Sequence, residues 1–518
     1  MRTKILVFVI ALLGHATLLQ AQTEVRTETQ ASFASGDHTP LWLNANKHGL
    51  SSLNTSNGFL RAGLFQSMDD QNDHRWAIGY GADIAVASGY TSKLIIQQAY
   101  ADLRWLKGLL TVGSKEQPME FKNQELSSGS QTLGINARPI PSVRLSLPDY
   151  WTVPYTRGWL GIKGHIAYGM MTDDNWQKDF TKEPNKRTER AKVHTKAGYL
   201  RIGKEGKPIS VELGLEMACQ YGGTTYTTNP YPNIPGTIEY IGIKNKDGIK
   251  GMMSAFVPGT DGEKGEGIYD NASGNHLGSY LARVNIDLDK YYIGIYADHF
   301  FEDHSQMFFL DYDGYGQGEE FNEWKESRWL VYDLKDIMLG VELKLKGQKW
   351  VNDIVAEYIY TKYQSGPIYH DRTRHRSDHI AGRDNYYNNY MQTGWQHWGQ
   401  VMGNPLYRSP LYNEDKIIQV ENNRFWAWHF GLSGDPIKNL HYRILATWQR
   451  GWGTYDFPLP DPERNMSLLV EAKYQFNDTE RLAGWGVKAA FGLDRGGLLG
   501  NNTGGQITIS RHFGLKKK

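Results

Sequence analysis

The feature that most constrains the fold is a two-residue alternation of apolar and polar side chains that recurs along the chain. In ISVELGLEMACQY, residues 209 to 221, every second residue from Val211 to Tyr221 is apolar, and Glu212 and Glu216 lie between them. Because successive side chains of a β-strand point to opposite faces, this stretch predicts a strand with one apolar and one polar face. Similar segments, including RWAIGYGADIAVA and DIMLGVELKLKG, bring the total to roughly 18 strands, many as long as a tilted membrane-spanning strand.

A soluble β-sandwich or propeller would also alternate, but three features favour a membrane barrel. Whole charges stand in mid-strand on the polar face, as a polar lumen would allow. Aromatic residues, of which the chain has 31 Tyr and 16 Trp, gather near strand ends, where interfacial girdles lie. The chain also closes on an alternating strand that ends in Phe513, and it shows no fixed repeat. We therefore expect an all-β fold: a transmembrane antiparallel β-barrel of about 18 strands in the outer membrane, with long extracellular loops folding over or into the lumen.

The amino terminus predicts a secretory signal peptide. Arg2 and Lys4 precede an uncharged apolar run from 5 to 13, which is too short to span a bilayer. Cleavage near Ala21 divides the chain into a signal peptide, residues 1–21, and one outer-membrane barrel domain, residues 22–518.

Several functional classes are excluded by composition and motif. The chain has one cysteine, Cys219, and a net charge of +1, so neither a cysteine metal cluster nor a nucleic-acid partner is expected. The three histidines of a basic loop, His370, His375 and His379, lack the ligand partners of a metal site. No nucleophile elbow, zinc-binding helix or phosphate-binding loop is present. We expect no metal, no cofactor and no enzymatic activity.

The loop from about 364 to 423 holds the candidate ligand-binding residues. Its first half is basic and suits carboxylate or phosphate groups. Its second half adds aromatic faces and amides, on which sugar rings can stack and form hydrogen bonds. An acidic polysaccharide or lipopolysaccharide phosphates would fit this chemistry; alternatively, the loop folds into the lumen as a plug and its arginines pair with acidic wall residues. The candidates are Arg372, Arg374, Arg376, Arg383, Tyr386, Tyr387, Asn388, Tyr390, Trp395 and Trp398.

A second set of residues is expected to line the lumen. In NARPIPSVRLSLPDY, residues 136 to 150, Val143, Leu145 and Leu147 fall on one face and Arg144 on the other. An arginine facing lipid at the midplane would cost ~2 to 4 kcal/mol, so Arg144 should face inwards and pair with wall or loop carboxylates. The prolines on either side mark the ends of the strand. The residues predicted to line the lumen are Arg138, Arg144, Glu212 and Glu216.

Three longer stretches resemble the Wzi-type capsule-assembly family of outer-membrane proteins, in its Bacteroidetes form. They are GSQTLGINARPIPSVRLSLPDY, YADHFFEDHSQMFF (296 to 309) and RDNYYNNYMQTGWQHWGQVMGNPLY (383 to 407). The resemblance extends in order from about residue 30 to the carboxyl terminus. It implies a monomeric barrel of about 18 strands, closed by loops, that holds capsular polysaccharide as a lectin. Enteric members of the family carry a helical plug before the barrel. The sequence of residues 22 to 56 shows no helical pattern and does not predict such a plug.

Three hypotheses follow. The first is a non-enzymatic surface protein that binds or anchors capsular polysaccharide or another surface glycan, with outer-membrane lipid around it. The alternative is a porin or transport channel for small solutes or oligosaccharides, since the strands carry charged lumen faces. A hydrolase with a Ser–His pair on its strands is the third.

Overall fold

Eighteen strands close into a single antiparallel barrel. The computed structural model describes residues 23–68, 74–229, 236–257, 274–302, 319, 336–364, 384–477 and 481–515, and the backbone alone of 368–369 and 379–380. The barrel strands are β1 (Thr23–Ser35), β2 (Ser56–Gln66), β3 (Trp76–Ser88), β4 (Leu94–Trp105), β5 (Gly108–Ser114), β6 (Ser142–Thr152), β7 (Leu160–Met170), β9 (Lys192–Ile202), β10 (Ile209–Tyr221), β13 (Asn275–Asp287), β14 (Tyr291–Glu302), β15 (Ile337–Leu345), β16 (Asp353–Tyr360), β21 (Phe425–Ile437), β22 (Leu440–Gly453), β23 (Pro458–Gln475), β24 (Trp485–Gly496) and β25 (Asn502–Leu515).

Smaller elements lie in the loops. A three-stranded sheet consists of β8 (Arg187–Glu189), β11 (Thr224–Thr228) and β12 (Tyr240–Lys244), and two short pairs consist of β17 (Ile368–Tyr369) with β18 (His379–Ile380) and β19 (Gln396–His397) with β20 (Gln400–Val401). The helices are α1 (Leu41–Asn44), α2 (Asp174–Phe180), α3 (Gly248–Phe256) and a 3₁₀ turn at Pro410–Tyr412. Within the described ranges no helix is long and apolar enough to cross a membrane.

Pairing of the first and last strands closes the barrel. β1 runs antiparallel to β25, with Thr23 opposite Leu515 and Ser35 opposite Thr503. Every other barrel strand pairs with its neighbours along the chain. The predicted all-β antiparallel barrel of about 18 strands is confirmed. The predicted signal peptide lies outside the described residues, and the division of the chain at residue 21 remains a prediction.

The length of the connections orients the barrel. The three shortest, 106–107, 288–290 and 438–439, lie at the end that holds Thr23 and Leu515. The long ones, 36–55, 115–141, 171–191, 222–274, 303–336 and 361–424, join strand ends at the opposite end of the barrel. Because outer-membrane barrels have short periplasmic turns and long extracellular loops, the long connections mark the extracellular end.

The exterior wall carries the apolar face of the alternation. Val143 and Leu145 of β6 are exposed there, whereas Leu147 is half-buried where the pairing with β7 shifts between Leu147 and Trp151. Exposed Trp76 and Trp105 stack at the periplasmic end with ring centroids 5.8 Å apart. A closed barrel with this apolar exterior and aromatic girdle is an outer-membrane protein.

Helix α3 lies against the outside of this wall. Alternation along β9 and β10 directs His194, Lys196, Cys219 and Tyr221 outwards, and the helix packs on these positions: Ala255 packs against Cys219 and Tyr221, and the Lys196 Nζ lies 4.9 Å from the centre of the Phe256 ring. Its small residues Gly251, Ser254 and Ala255 face the barrel and are buried, whereas Ile249, Met252 and Met253 are exposed. Large apolar side chains turned away from the protein suit an element whose outer neighbour is lipid.

Candidate functional site

The lumen is occupied by three extracellular connections, residues 36–55, 115–141 and 384–424, which we call the plug. Each makes hydrogen bonds to inward-facing wall residues. In the first, the Trp42 Nε1 donates to the Thr447 Oγ1 at 3.1 Å and the Leu41 amide donates to the Asp494 carboxylate at 3.0 Å. Such contacts give hydrogen-bond partners to buried backbone and side-chain groups that water does not reach inside the barrel.

The second plug segment descends through the barrel. Lys122 forms an ion pair of 2.6 Å with Asp298 of β14, and both side chains are almost inaccessible, at 1% and 0% exposure. Glu357 of β16 accepts hydrogen bonds from the Ser127 hydroxyl at 2.6 Å and the Ser128 amide at 2.9 Å. Breaking a buried pair of this kind is expected to cost about 3 to 5 kcal/mol, because one charge stays buried alone.

The tip of the same segment reaches the periplasmic end. Glu120 pairs with Lys163 near the start of β7 at 2.5 Å, and Asn123 donates to Asp353 at the start of β16 at 2.8 Å. Glu125 lies 3.1 Å from His441, beside the 438–439 turn. Residues 115–141 therefore extend from one mouth of the barrel nearly to the other.

The third segment forms the aromatic core of the plug. Tyr386, Tyr387 and Trp395 are each 1% exposed or less, and they pack with Tyr407, Phe300 and Phe425. The Tyr386 hydroxyl donates to Asp336 at 2.8 Å, and the amides of Tyr363 and Gln364 donate to the same carboxylate at 2.8 and 2.6 Å. Burial raises the pKa of Asp336 to about 6 despite these donors.

The residues predicted to bind ligand differ widely in their exposure. Tyr386, Tyr387 and Trp395 lie inside the plug, out of reach of a glycan at the extracellular surface in this conformation. Asn388 is half-buried and exchanges hydrogen bonds with Val420. Tyr390 is 78% exposed. Four arginines, Arg372, Arg374, Arg376 and Arg383, lie outside the described residues.

Trp398 combines with Arg138 in a way that the sequence did not predict. The Arg138 guanidinium stacks on the Trp398 ring, with its central carbon 4.4 Å from the ring centre. The indole N–H donates to the Thr172 Oγ1 at 3.3 Å. Burial lowers the pKa of Arg138 to about 10, which leaves it charged at neutral pH. Trp398 and Thr172, which are 226 positions apart in the sequence, thus meet at the extracellular end of the plug.

Three of the residues predicted to line the lumen, Arg144, Glu212 and Glu216, lie on the inward face of barrel strands. Glu216 accepts a hydrogen bond from the Tyr199 hydroxyl at 2.8 Å, and Glu212 accepts one from the side-chain Nδ2 of Asn285 at 2.8 Å. Arg138 belongs to the plug rather than to the wall. Arg144 was expected to pair with a carboxylate of the wall or of a loop. Among the described residues, it forms no ion pair with a carboxylate.

Arg144 instead faces a cavity of about 360 Å³ between the plug and the wall formed by β5, β6, β7, β9 and β10. Cationic and anionic side chains both line it, among them Arg138, Lys163, Glu116 and Glu216. A cavity of this size with charged side chains in its lining has room for several water molecules or a small anion. Within the described part of the chain, no group of three or more His, Cys, Asp or Glu side chains could hold a metal ion.

Comparison with known proteins identifies the fold. No protein-family model and no curated protein matches the chain. Among solved structures, the chain is similar to Wzi, an outer-membrane protein involved in group 1 capsule assembly in Escherichia coli and described as a carbohydrate-binding β-barrel. The TM-score is 0.53, the identity is 12%, and the match covers 98% of this chain and 88% of Wzi.

The chain also matches Pseudomonas aeruginosa barrels. One is OccK5 (OpdH), with a TM-score of 0.42, 8% identity, and coverage of 96% of this chain and 99% of that one. Another is OprD, with a TM-score of 0.40, 8% identity, and 96% coverage of each chain. The likeness to Wzi agrees with the observed architecture: this chain is an 18-stranded outer-membrane β-barrel.

Proposed function

We propose that this protein binds or anchors an acidic surface polysaccharide at the extracellular end of the barrel, without catalysing a reaction. The observation that carries the proposal is the plug: extracellular loops descend into the lumen and are held there by buried polar contacts such as Lys122–Asp298. A barrel filled in this way serves poorly as a conduit, and its remaining chemistry lies on the extracellular surface. The described carbohydrate binding of Wzi supports the same assignment.

The proposed glycan contacts lie at the top of the third plug segment. Tyr390 exposes most of its ring, and Trp398 carries the Arg138 guanidinium on one face. An aromatic ring can stack on the C–H face of a sugar, while a nearby guanidinium binds its carboxylate. Arg372, Arg374, Arg376 and Arg383 would add positive charge from the same connection. The buried Tyr386, Tyr387 and Trp395 would support this surface from below.

Replacing Tyr390 and Trp398 by alanine tests the proposal. We expect the double variant to retain several-fold less capsule on cells and to shed more into the medium, because two stacking faces are lost. Phe457, 71% exposed on the neighbouring 454–457 connection, gives the matched control, Phe457→Ala. Phe457→Ala should retain capsule as the wild type does. Normal capsule retention in the double variant and in a gene deletion would contradict the proposed function.

A transport channel is the second candidate, and the cavity beside Arg144 favours it. The 360 Å³ space is lined by Arg144, which has no carboxylate partner in the described part of the chain, and it would become part of an anion path if the plug moved. Planar-bilayer recording separates the candidates: stable conductance from the wild-type protein would support the channel, and silence would support the plugged glycan-binding barrel.

A further inference from the structure

The outer wall at the extracellular end carries a cluster of cations above an aromatic girdle. Cross-strand pairing places Tyr358 opposite Trp428, Trp428 opposite Trp448, and Trp448 opposite Met466. Trp428, Trp448 and Met466 are exposed on the lipid-facing side. Tyr and Trp in such a row mark the boundary between hydrocarbon and headgroups.

The next row towards the extracellular end is aromatic and basic. This row lies two residues further along each strand, about 7 Å higher at ~3.3 Å per residue. In it, Tyr360 lies opposite Trp426, Trp426 opposite Arg450, and Arg450 opposite Arg464. Like charges directly opposite each other on two strands are destabilising. The Arg450–Arg464 pair therefore carries a cost that an anion between the two guanidinium groups would remove.

Two further cations complete the cluster above this row. The Trp452 amide donates to the Arg424 carbonyl at 2.8 Å, which continues the ladder beyond Phe425. The Lys362 Nζ lies 3.6 Å from the centre of the Trp452 ring, and Arg450 lies 5.2 Å from it. Arg424 stacks on Tyr455 at 3.8 Å. Within the described residues, no carboxylate lies within 4.0 Å of Lys362, Arg424, Arg450 or Arg464.

The environment of Lys362 is consistent with an excess of positive charge. Burial, followed by the charges of Arg424 and Arg450, lowers the pKa of the Lys362 ammonium. An anion bound among these groups would relieve the repulsion. Because arginine and lysine bind phosphate through charge-assisted hydrogen bonds, and because the cluster lies just above the aromatic girdle, the complementary group is the phosphate of an outer-leaflet lipid.

We propose that Lys362, Arg424, Arg450 and Arg464 form a binding site for the phosphates of a phosphorylated glycolipid in the outer leaflet, whose acyl chains lie along the aromatic row below. The site is on the outside of the wall and is separate from the plug and its glycan contacts. It fixes the height of the barrel in the outer leaflet.

Native mass spectrometry of the full-length protein in detergent, titrated with bisphosphorylated lipid A, tests the site. Arg450→Gln/Arg464→Gln should bind lipid A about 25-fold more weakly, since each of the two cations near a membrane surface contributes about fivefold. Arg464 is exposed, so the single variant Arg464→Gln leaves the wall packing intact. It should bind lipid A about fivefold more weakly than the wild type, which is half of the double variant's effect on a logarithmic scale. The matched control is Lys204→Gln/Lys207→Gln, in the exposed periplasmic turn 203–208, and should bind as the wild type does.

Lipid A without phosphates and phosphatidylglycerol provide the two ligand controls. Wild-type protein should prefer bisphosphorylated lipid A over both, and this preference should shrink in the arginine variants. Equal affinities in the arginine and lysine double variants would overturn the site, as would equal binding of lipid A with and without its phosphates.

Discussion

At the residue scale, Asp336 shows how the plug holds an ionisable group. The carboxyl lies just before β15 and accepts hydrogen bonds from the Tyr363 and Gln364 amides and the Tyr386 hydroxyl. Burial nevertheless raises its pKa from an ordinary value near 3.8 to about 6. The folded protein therefore binds the Asp336 proton more tightly than the unfolded chain does.

This shift predicts a pH dependence of stability. With a raised carboxyl pKa, the stabilisation is fully present below pH ~4 and is lost as the pH rises through about 6. The loss is on the order of 3 kcal/mol. Urea unfolding in detergent micelles between pH 4 and pH 8 should show it, and Asp336→Asn, which cannot ionise, should remove this part of the slope. A variant with the same slope as wild type would exclude Asp336 as its source.

At the element scale, the strands could be predicted from the sequence, but the loops in the lumen could not. The alternation of β10 places Glu212 and Glu216 on one face and Leu213 and Leu215 on the other, and the structure keeps that division. The plug has no such period. Lys122 stands in an ordinary polar stretch, and its partner Asp298 lies 176 residues away. Since such contacts depend on tertiary folding, local pattern cannot reveal them.

Helix α3 was missed for a related reason. Its nine residues are fewer than the roughly 11 to 18 over which a helical period can be recognised, and its small residues face a strand rather than a core. Cys219 was assigned to the apolar face of β10, which is the outer wall. It is fully buried there, packed with Tyr221 and with Ala255 of the helix. The alternation of side chains predicts on which face of the sheet a strand residue lies, but it does not predict which other element packs against that face.

Displacing α3 should uncover Cys219, the chain's single cysteine. A side chain at Gly251 would place its Cβ 2.8 Å from the Lys246 carbonyl oxygen and 3.2 Å from the Tyr221 ring, so Gly251→Leu should push the helix off the wall. We expect N-ethylmaleimide to label Cys219 at least tenfold faster in this variant, in detergent micelles. Ile249→Leu, on the exposed face, is the control and should label at the wild-type rate. Unchanged labelling of Gly251→Leu would mean that the helix does not shield the cysteine.

At the scale of the whole molecule, the lumen of the barrel is filled from its extracellular end. Residues 115–141 reach from the long-loop mouth to Lys163, Asp353 and His441 near the short-turn mouth. Among the described residues, the first plug segment contributes little helix: it contains α1, of four residues. Among the described residues, obstruction of the periplasmic end depends on the descending loop, which the Lys122–Asp298 pair attaches to the barrel wall.

That dependence predicts opposite outcomes for a single and a double substitution. Lys122→Met leaves the Asp298 carboxylate buried without its cation, which should weaken the closed state by about 3 kcal/mol or more and raise channel openings roughly a hundredfold. Lys122→Met/Asp298→Leu removes both charges and should stay nearly as silent as wild type, since apolar replacement of a buried pair is often neutral. Single-channel recording in planar bilayers measures both variants. If the double variant conducts as much as the single one, the loop is held by packing at this position rather than by charge; if neither conducts, closure does not depend on this pair.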